Sequence, residues 1–435
     1  MVPALVNSSH TASVDTSFSV LQGPGGVQVH LASTDKYRSV SVHWVTEATA
    51  GANRAAWAIL PDLLTRGTAA YPELSQLAAR CEELYCLDLL ASVSGHGPHQ
   101  VLRFGFETVG NRQVDSESLF AEAVELAADC LHSPPLEQGS FRGDHLAQEQ
   151  LNLVRAIESL SDDKGLLAYR RMVEAMHKGT PLARHSWGTV EEAQALDAAL
   201  VHEAWDGLRH TAPARLLIIG DVDERAALSA AEHLAGGSDH GEPTVVRPPA
   251  ARPPREEVQE LKDVEALAQS KLVMGYALPP EVLDGPAAML FATAFGGGAH
   301  SRLFKRVREA DGLAYGCGSS MLVSSGTLVV QAGVDGDAVD RVRDAVAEEL
   351  ARLVEDGLDE AEFALTRNAH LRRLRQLSDA PRELLSFRQH GLASARTFEL
   401  EEALETTANC KPEDIVDVAR AAVLDTVYVL EGRDS

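Results

Sequence analysis

Phe295-Gly-Gly-Gly-Ala-His-Ser-Arg-Leu-Phe-Lys-Arg-Val-Arg-Glu-Ala-Asp-Gly-Leu-Ala-Tyr-Gly316 is the stretch that decides how this chain folds. The apolar run Pro286 to Phe295 predicts a helix, and Gly296, Gly297 and Gly298 end it, because glycine leaves a helix for a turn at least steric cost. A second helix is expected over Ser301 to Ala310, and alternating apolar residues predict strands over Ala314 to Leu322 and Thr327 to Val334. A strand at Lys271 to Leu278 precedes the unit.

Working outward, the same order recurs near the N-terminus. Strands are expected over Val27 to Leu31 and Val40 to Val45, and an apolar helix over Ala55 to Leu64 stops at Arg66-Gly67-Thr68. Another helix (Glu73 to Leu84) leads to an alternating strand, Val101 to Thr108. Helical pairs then close each part, followed by a last strand, Leu216 to Ile219 in one and Thr426 to Leu430 in the other. Between the parts, 236–255 holds five of the nineteen prolines and no periodicity, which reads as a stiff linker. The expected organisation is α+β: domain 14–235, linker 236–255 and domain 256–435, each domain a mostly antiparallel sheet with helices on one face. A repeated order of this kind is what duplication leaves.

The 435 residues fit two or three domains, and 45% hydrophobic with 24% charged residues is the balance of a folded protein. No apolar run approaches the roughly 18 residues of a membrane span. Met1 to His10 lacks the basic and apolar regions of a signal peptide, so a cytoplasmic location is expected, with no membrane partner. Five scattered cysteines, Cys81, Cys86, Cys130, Cys317 and Cys410, argue against a disulfide framework and a thiolate zinc site, and are expected to be buried apolar residues. A net charge of -25 argues against nucleic acid as a partner. That acidity reads as a solvated surface, or more sharply as a negative chamber for cationic peptides.

Among sixteen His there is no His-Glu-x-x-His or His-x-x-Glu-His. His96 and His99 fall in a turn, Gly-His-Gly-Pro-His, and read as a solvated loop, while His30 and His43 read as structural. No phosphate-binding Gly-x-x-x-x-Gly-Lys-Ser/Thr run exists.

The segment from Phe295 to Gly316 closely resembles the second-domain signature of the pitrilysin/insulinase-like (M16, M16B type) peptidases. The linker, Gly357-Leu-Asp-Glu-Ala-Glu-Phe363 and Lys411-Pro-Glu-Asp-Ile415 also look like that family, and Glu149 to Lys164 followed by Lys178-Gly-Thr-Pro-Leu resembles its bacterial non-zinc subunits. Active members carry His-x-x-Glu-His, two imidazoles one turn apart on a helix with a Glu base between them, and a distant Glu completes the zinc site. The resemblance puts Ala58, Pro61 and Asp62 at the places of first His, Glu and second His, and Ala156 at the third ligand; Glu149 matches a further carboxylate. Neither alanine carries a donor, Pro61 lacks the base, and Asp62 alone is no site, so no metal is expected on this chain.

What the resemblance keeps is Arg308 and Tyr315. A guanidinium offers fixed donors to a peptide carbonyl, and a tyrosine hydroxyl stabilises an oxyanion. The bland alternative makes Arg308 an ion-pair partner of Glu309 or Asp311 and Tyr315 a core residue. Gly296, Gly297 and Gly298 either let a bound peptide approach closely or only end a helix. The resemblance implies a non-catalytic, substrate-binding subunit of a heterodimeric zinc metallopeptidase acting on unfolded peptides. An HxxEH-bearing homologue would supply the zinc, and this chain alone would be inactive. Seven Lys against thirty-two Arg fits a GC-rich genome, where leader-peptide removal from ribosomal peptide natural products is one refinement and general peptide turnover its rival. The other expectation is a structural or peptide-binding protein with no peptidase role.

Overall fold

The structure, a computed structural model, describes residues 17–49, 53–241, 254–394 and 399–433. The first sheet contains β1 (Ser19–Gln22), β2 (Gln28–Ser33), β3 (Ser39–Thr49), β4 (Asp88–His96), β5 (His99–Val109) and β6 (Ala214–Gly220), in the order β1-β2-β6-β3-β5-β4. The second contains β7 (Gln259–Glu265), β8 (Ser270–Ala277), β9 (Ala314–Leu322), β10 (Thr327–Val334) and β11 (Val423–Gly432), in the order β9-β10-β8-β11-β7. The two share one wiring. In each, the last strand inserts parallel to an early strand (β6 to β2, β11 to β7) and antiparallel to a central one (β3, β8). All other pairings in these sheets are antiparallel. The fold is α+β with two mixed sheets, each packed with helices.

The helices that matter for the site are α1 (Ala55–Ala58), α2 (Leu60–Leu64), α3 (Gly143–Ser159), α4 (Lys164–Met176), α5 (Ala287–Gly296), α6 (Glu360–Leu377), α7 (Pro381–Ala393) and α8 (Leu400–Asn409). Period-two alternation sends Trp44, Phe104, Phe106 and Leu216 to one face of the first sheet, against Phe120 and Ala123 of the helix Leu119–His132. On the second sheet, Met274, Leu328 and Val330 likewise meet Phe291 and Phe295 of α5.

The opposite faces are covered reciprocally. β6, Ala-Arg-Leu-Leu-Ile-Ile-Gly, is buried at every position, and a strand apolar on both sides needs cover on both. Its Leu217 and Ile219, with Val45 and Val101, pack on Leu374, Leu384, Leu385 and Leu400 of α6, α7 and α8, which come from the second half. In return, α4 of the first half lays Leu167, Ala168, Met172 and Met176 on Val273, Val329, Tyr428 and Leu430 of the second sheet. Each fully buried Leu or Met contributes about 1.5–3 kcal/mol relative to exposure, so the two halves are firmly coupled. Polar contacts join the same seam: Arg382 of α7 pairs with Glu107 and Asp88, and Arg388, paired with Glu399 of its own half, lies 3.4 Å from His30. Helices of its own half cover one face of each sheet, as expected; the cover lent by the other half was not foreseen.

Local departures have physical causes. The helix expected over Ala55 to Leu64 is broken at Ile59 into α1 and α2, because Pro61 has no N–H to continue the ladder. The helix expected over Ser301 to Ala310 becomes a π turn over Phe304–Ala310, closed by the Asp311 N–H donating to the Arg306 carbonyl at 3.0 Å. Most of the expected linker, 242–253, lies outside the described residues, as do 14–16 of the expected first domain. Among the described residues, no helix is long and apolar enough to cross a membrane.

Candidate functional site

Two places were singled out by sequence, and they lie at equivalent points of the wiring. The first follows β3. Ala58 is buried at the end of α1, and Pro61 and Asp62 occupy the first turn of α2. Across from them on α3 lies Glu149, only 6% exposed. Its carboxylate pairs with the Arg66 guanidinium and accepts a 2.8 Å hydrogen bond from Asn152 Nδ2. Desolvation, and next the Glu149 charge, raise the pKa of Asp62, which places two carboxylates within each other's field. Ala156, two turns further along α3, is half-buried and offers a methyl group.

These residues do not fit zinc, which takes four N, S or O donors or three and a water. The remaining deeply buried carboxylate is already neutralised by a guanidinium. Among the described residues, no group of three or more His, Cys, Asp or Glu is placed to hold a metal ion.

The second place follows β8. Gly296 is buried where α5 meets β9, and a Cβ there would lie 2.4 Å from the Ser319 nitrogen. The close approach at Gly296 is therefore to the chain's own strand. Gly297 caps α5, its N–H donating to the Thr293 carbonyl at 3.0 Å, and Gly298 follows in the turn.

Arg308 sits exposed on the π turn with its guanidinium 4.8 Å from the Phe304 ring centre, a cation–π contact. Of the two partners the bland alternative offered, Asp311 pairs instead with Arg306 at 3.1 Å, and among the described residues no ion pair joins Arg308 to Glu309. Tyr315 is 80% exposed, so it is no core residue. It sits at a bulge, where the β9–β10 register shifts between Ala314 and Gly316, on the free edge of the second sheet. Bulges re-aim a side chain, and here the phenol points away from the core. A hydrogen bond from the Leu313 N–H to the Val307 carbonyl, 2.8 Å, ties the π turn to the start of β9.

Beside Tyr315 opens a groove of about 600 Å³ whose lining includes Gly316, Lys164, Gln269, Lys271 and Gln331. Lys164 bonds Glu265 at 2.7 Å and Lys271 bonds the Gln269 side-chain oxygen at 2.8 Å, so the polar wall is internally held.

Residues 201–369 match the family described as Peptidase M16 inactive domain. The chain is 27% identical over 414 residues, 94% of its length and 97% of the other's, to a Bacillus subtilis protein named probable inactive metalloprotease YmfF. The chain is thus similar to the M16 peptidase family, through its inactive domain over 201–369 and through this relative over nearly its whole length. It is also 26% identical over 250 residues to an uncharacterized zinc protease of Streptomyces coelicolor, SCO5738, covering 55% of this chain and 53% of that one. Among solved structures, a conserved protein from Enterococcus faecalis V583 superposes with a TM-score of 0.84 at 23% identity, covering 96% of this chain and 99% of that one. A peptidase M16 inactive domain from Pseudomonas fluorescens superposes at 0.77 and 16% identity, covering 96% and 98%. At these identities the structures speak for the fold alone; the family model and the Bacillus subtilis relative are of the inactive type, while the Streptomyces relative is named a zinc protease.

Sequence reasoning passed over Arg66, the groove residues Lys164, Gln269, Lys271 and Gln331, and the setting of His96. Only the fold brings Arg66 to Glu149, which is 83 residues away in the chain. His96 and His99 are not a solvated loop but the facing ends of β4 and β5. His96 packs edge-on to His390 of α7 with ring centres 6.1 Å apart, and burial, then His390, push its pKa down to about 4. His30 and His43 are buried, with pKa values lowered to about 3 by burial and then by neighbouring arginines. Of the cysteines, Cys130, Cys317 and Cys410 are buried as expected, whereas Cys81 is half-buried and Cys86 exposed.

Proposed function

We propose that this chain is the non-catalytic, substrate-binding subunit of a heterodimeric zinc metallopeptidase that cleaves unfolded peptides in the cytoplasm. The observation that carries the reading is Tyr315: an 80% exposed phenol on a bulged, unpaired sheet edge has no packing role and is free to meet something outside the chain. Arg308, exposed on the adjoining π turn, is the second such group.

In this reading an extended peptide lies along the free edge of β9, where main-chain hydrogen bonds give affinity with little sequence choice. The Arg308 guanidinium holds a peptide carbonyl, and the Tyr315 hydroxyl donates to the oxygen that gains charge when water attacks. Zinc and the general base come from an HxxEH-bearing M16 homologue, since Ala58, Pro61, Asp62 and Ala156 supply neither.

Co-purification tests the pairing, and elemental analysis tests the division of labour. The expected result is a stable complex with an HxxEH-bearing protein, with zinc on that partner and peptide hydrolysis by the complex alone. One zinc per isolated chain, or chelator-sensitive cleavage by it, would overturn the reading. A partner without HxxEH would favour a structural or peptide-binding role instead.

A further inference from the structure

We propose that the cavity between the two halves binds a short apolar peptide carrying both its free amino and free carboxyl termini. It encloses about 880 Å³, within the roughly 300–1,000 Å³ of ligand sites. The β4–β5 hairpin, the start of α5, the end of β9 and helices α6, α7 and α8 surround it. Met289, Met321, Leu374 and Phe387 make the apolar wall, and methionines adapt to unlike side chains.

Two opposite charges stand on the same wall. Arg373, near the end of α6, and Glu383, in the first turn of α7, are both exposed, and neither has an ion-pair or hydrogen-bond partner among the described residues. A fatty acid would meet the Glu383 charge as well as Arg373; a zwitterion satisfies both. The lining also holds unused hydrogen-bonding capacity. His390 engages the Ser386 carbonyl through Nδ1 at 2.7 Å, which leaves Nε2 for a ligand. Thr407, 1% exposed, lines the cavity, and its Oγ1 is buried without a partner. Peptide amides offer the donors and acceptors such groups lack. Burial lowers the pKa of His370, so its imidazole presents one donor and one acceptor rather than a fixed charge.

The cavity is distinct from the Tyr315 edge. It touches β9 at Met321 and Leu322, roughly 20 Å along the strand from Tyr315, and the inference stands whether or not the chain serves a peptidase.

Calorimetric titration of the intact chain with Leu-Ala-Leu, free at both ends, provides the test. Blocking either terminus of the tripeptide is expected to weaken binding about tenfold or more. Arg373→Gln and Glu383→Gln, both surface changes whose folding circular dichroism checks, are expected to do the same to the free tripeptide while leaving the doubly blocked one unaffected. Absence of binding at millimolar peptide, equal affinity for the doubly blocked form, or dodecanoate binding as tightly as the peptide would each overturn the proposal.

Discussion

Between β3 and β4 the first half inserts α1 and α2; between β8 and β9 the second half inserts α5 and the π turn. The strands on either side are wired alike, so the two insertions occupy corresponding positions. What they present differs. The first shows buried alanines, a buried proline, an exposed Asp62 and a carboxylate tied to Arg66. The second shows an exposed tyrosine and an exposed arginine, with Asp311 taken by Arg306. Under the proposed function, the outward-turned phenol and guanidinium of the second insertion are the groups with a task, whereas the first insertion offers a single outward carboxylate and no base or ligand set. That contrast makes the second insertion the place to look for substrate.

The largest effect expected from breaking the contrast is on turnover. In the reconstituted complex, Arg308→Ala and Tyr315→Phe should each lower peptide hydrolysis by about a hundredfold or more, with the subunits still co-eluting, while Asp62→Ala changes nothing. Steady-state assays with gel filtration check this, and unchanged rates in both variants would remove the distinction between the two insertions. Next comes Gly296→Ala. Its methyl would meet strand backbone at 2.4 and 2.8 Å, and overpacking of this kind costs about 1–3 kcal/mol, read as a lower melting temperature.

Smaller effects sharpen the other side. Arg66→Met leaves the Glu149 carboxylate buried without its cation, a loss of about 1–2 kcal/mol once the partial exposure of Arg66 is allowed for, measured by denaturant unfolding. Asp62→Asn is the mildest. Because the folded-state pKa of Asp62 is raised, the native chain holds that proton more tightly than the unfolded one, and stability declines as pH climbs past the ordinary carboxylate range. The variant should melt slightly higher at neutral pH, with the difference vanishing below that range.

Much of this fold was legible. The strands over Ala314 to Leu322 and Thr327 to Val334 fall where alternation put them. The strands that escaped notice, β1, β4 and β7, are three of the four edges. β7, Gln-Glu-Leu-Lys-Asp-Val-Glu, is half charged and largely exposed, so its backbone pairing with β11 leaves no apolar pattern to read. The site was legible to the extent that it is local: Arg308 and Tyr315 lie seven residues apart. The Arg66–Glu149 pair, the groove and the cavity between the halves are made by residues distant in the chain, and no periodicity encodes such meetings.

The exchange of helices also governs how the chain can be divided. A gene cut within 242–253 would yield fragments whose uncovered faces, Leu217 and Ile219 on one and Val273 and Leu430 on the other, are each matched by helices on the opposite piece. Two such fragments, made together, are therefore suited to split-protein complementation, and either made alone is a candidate for aggregation.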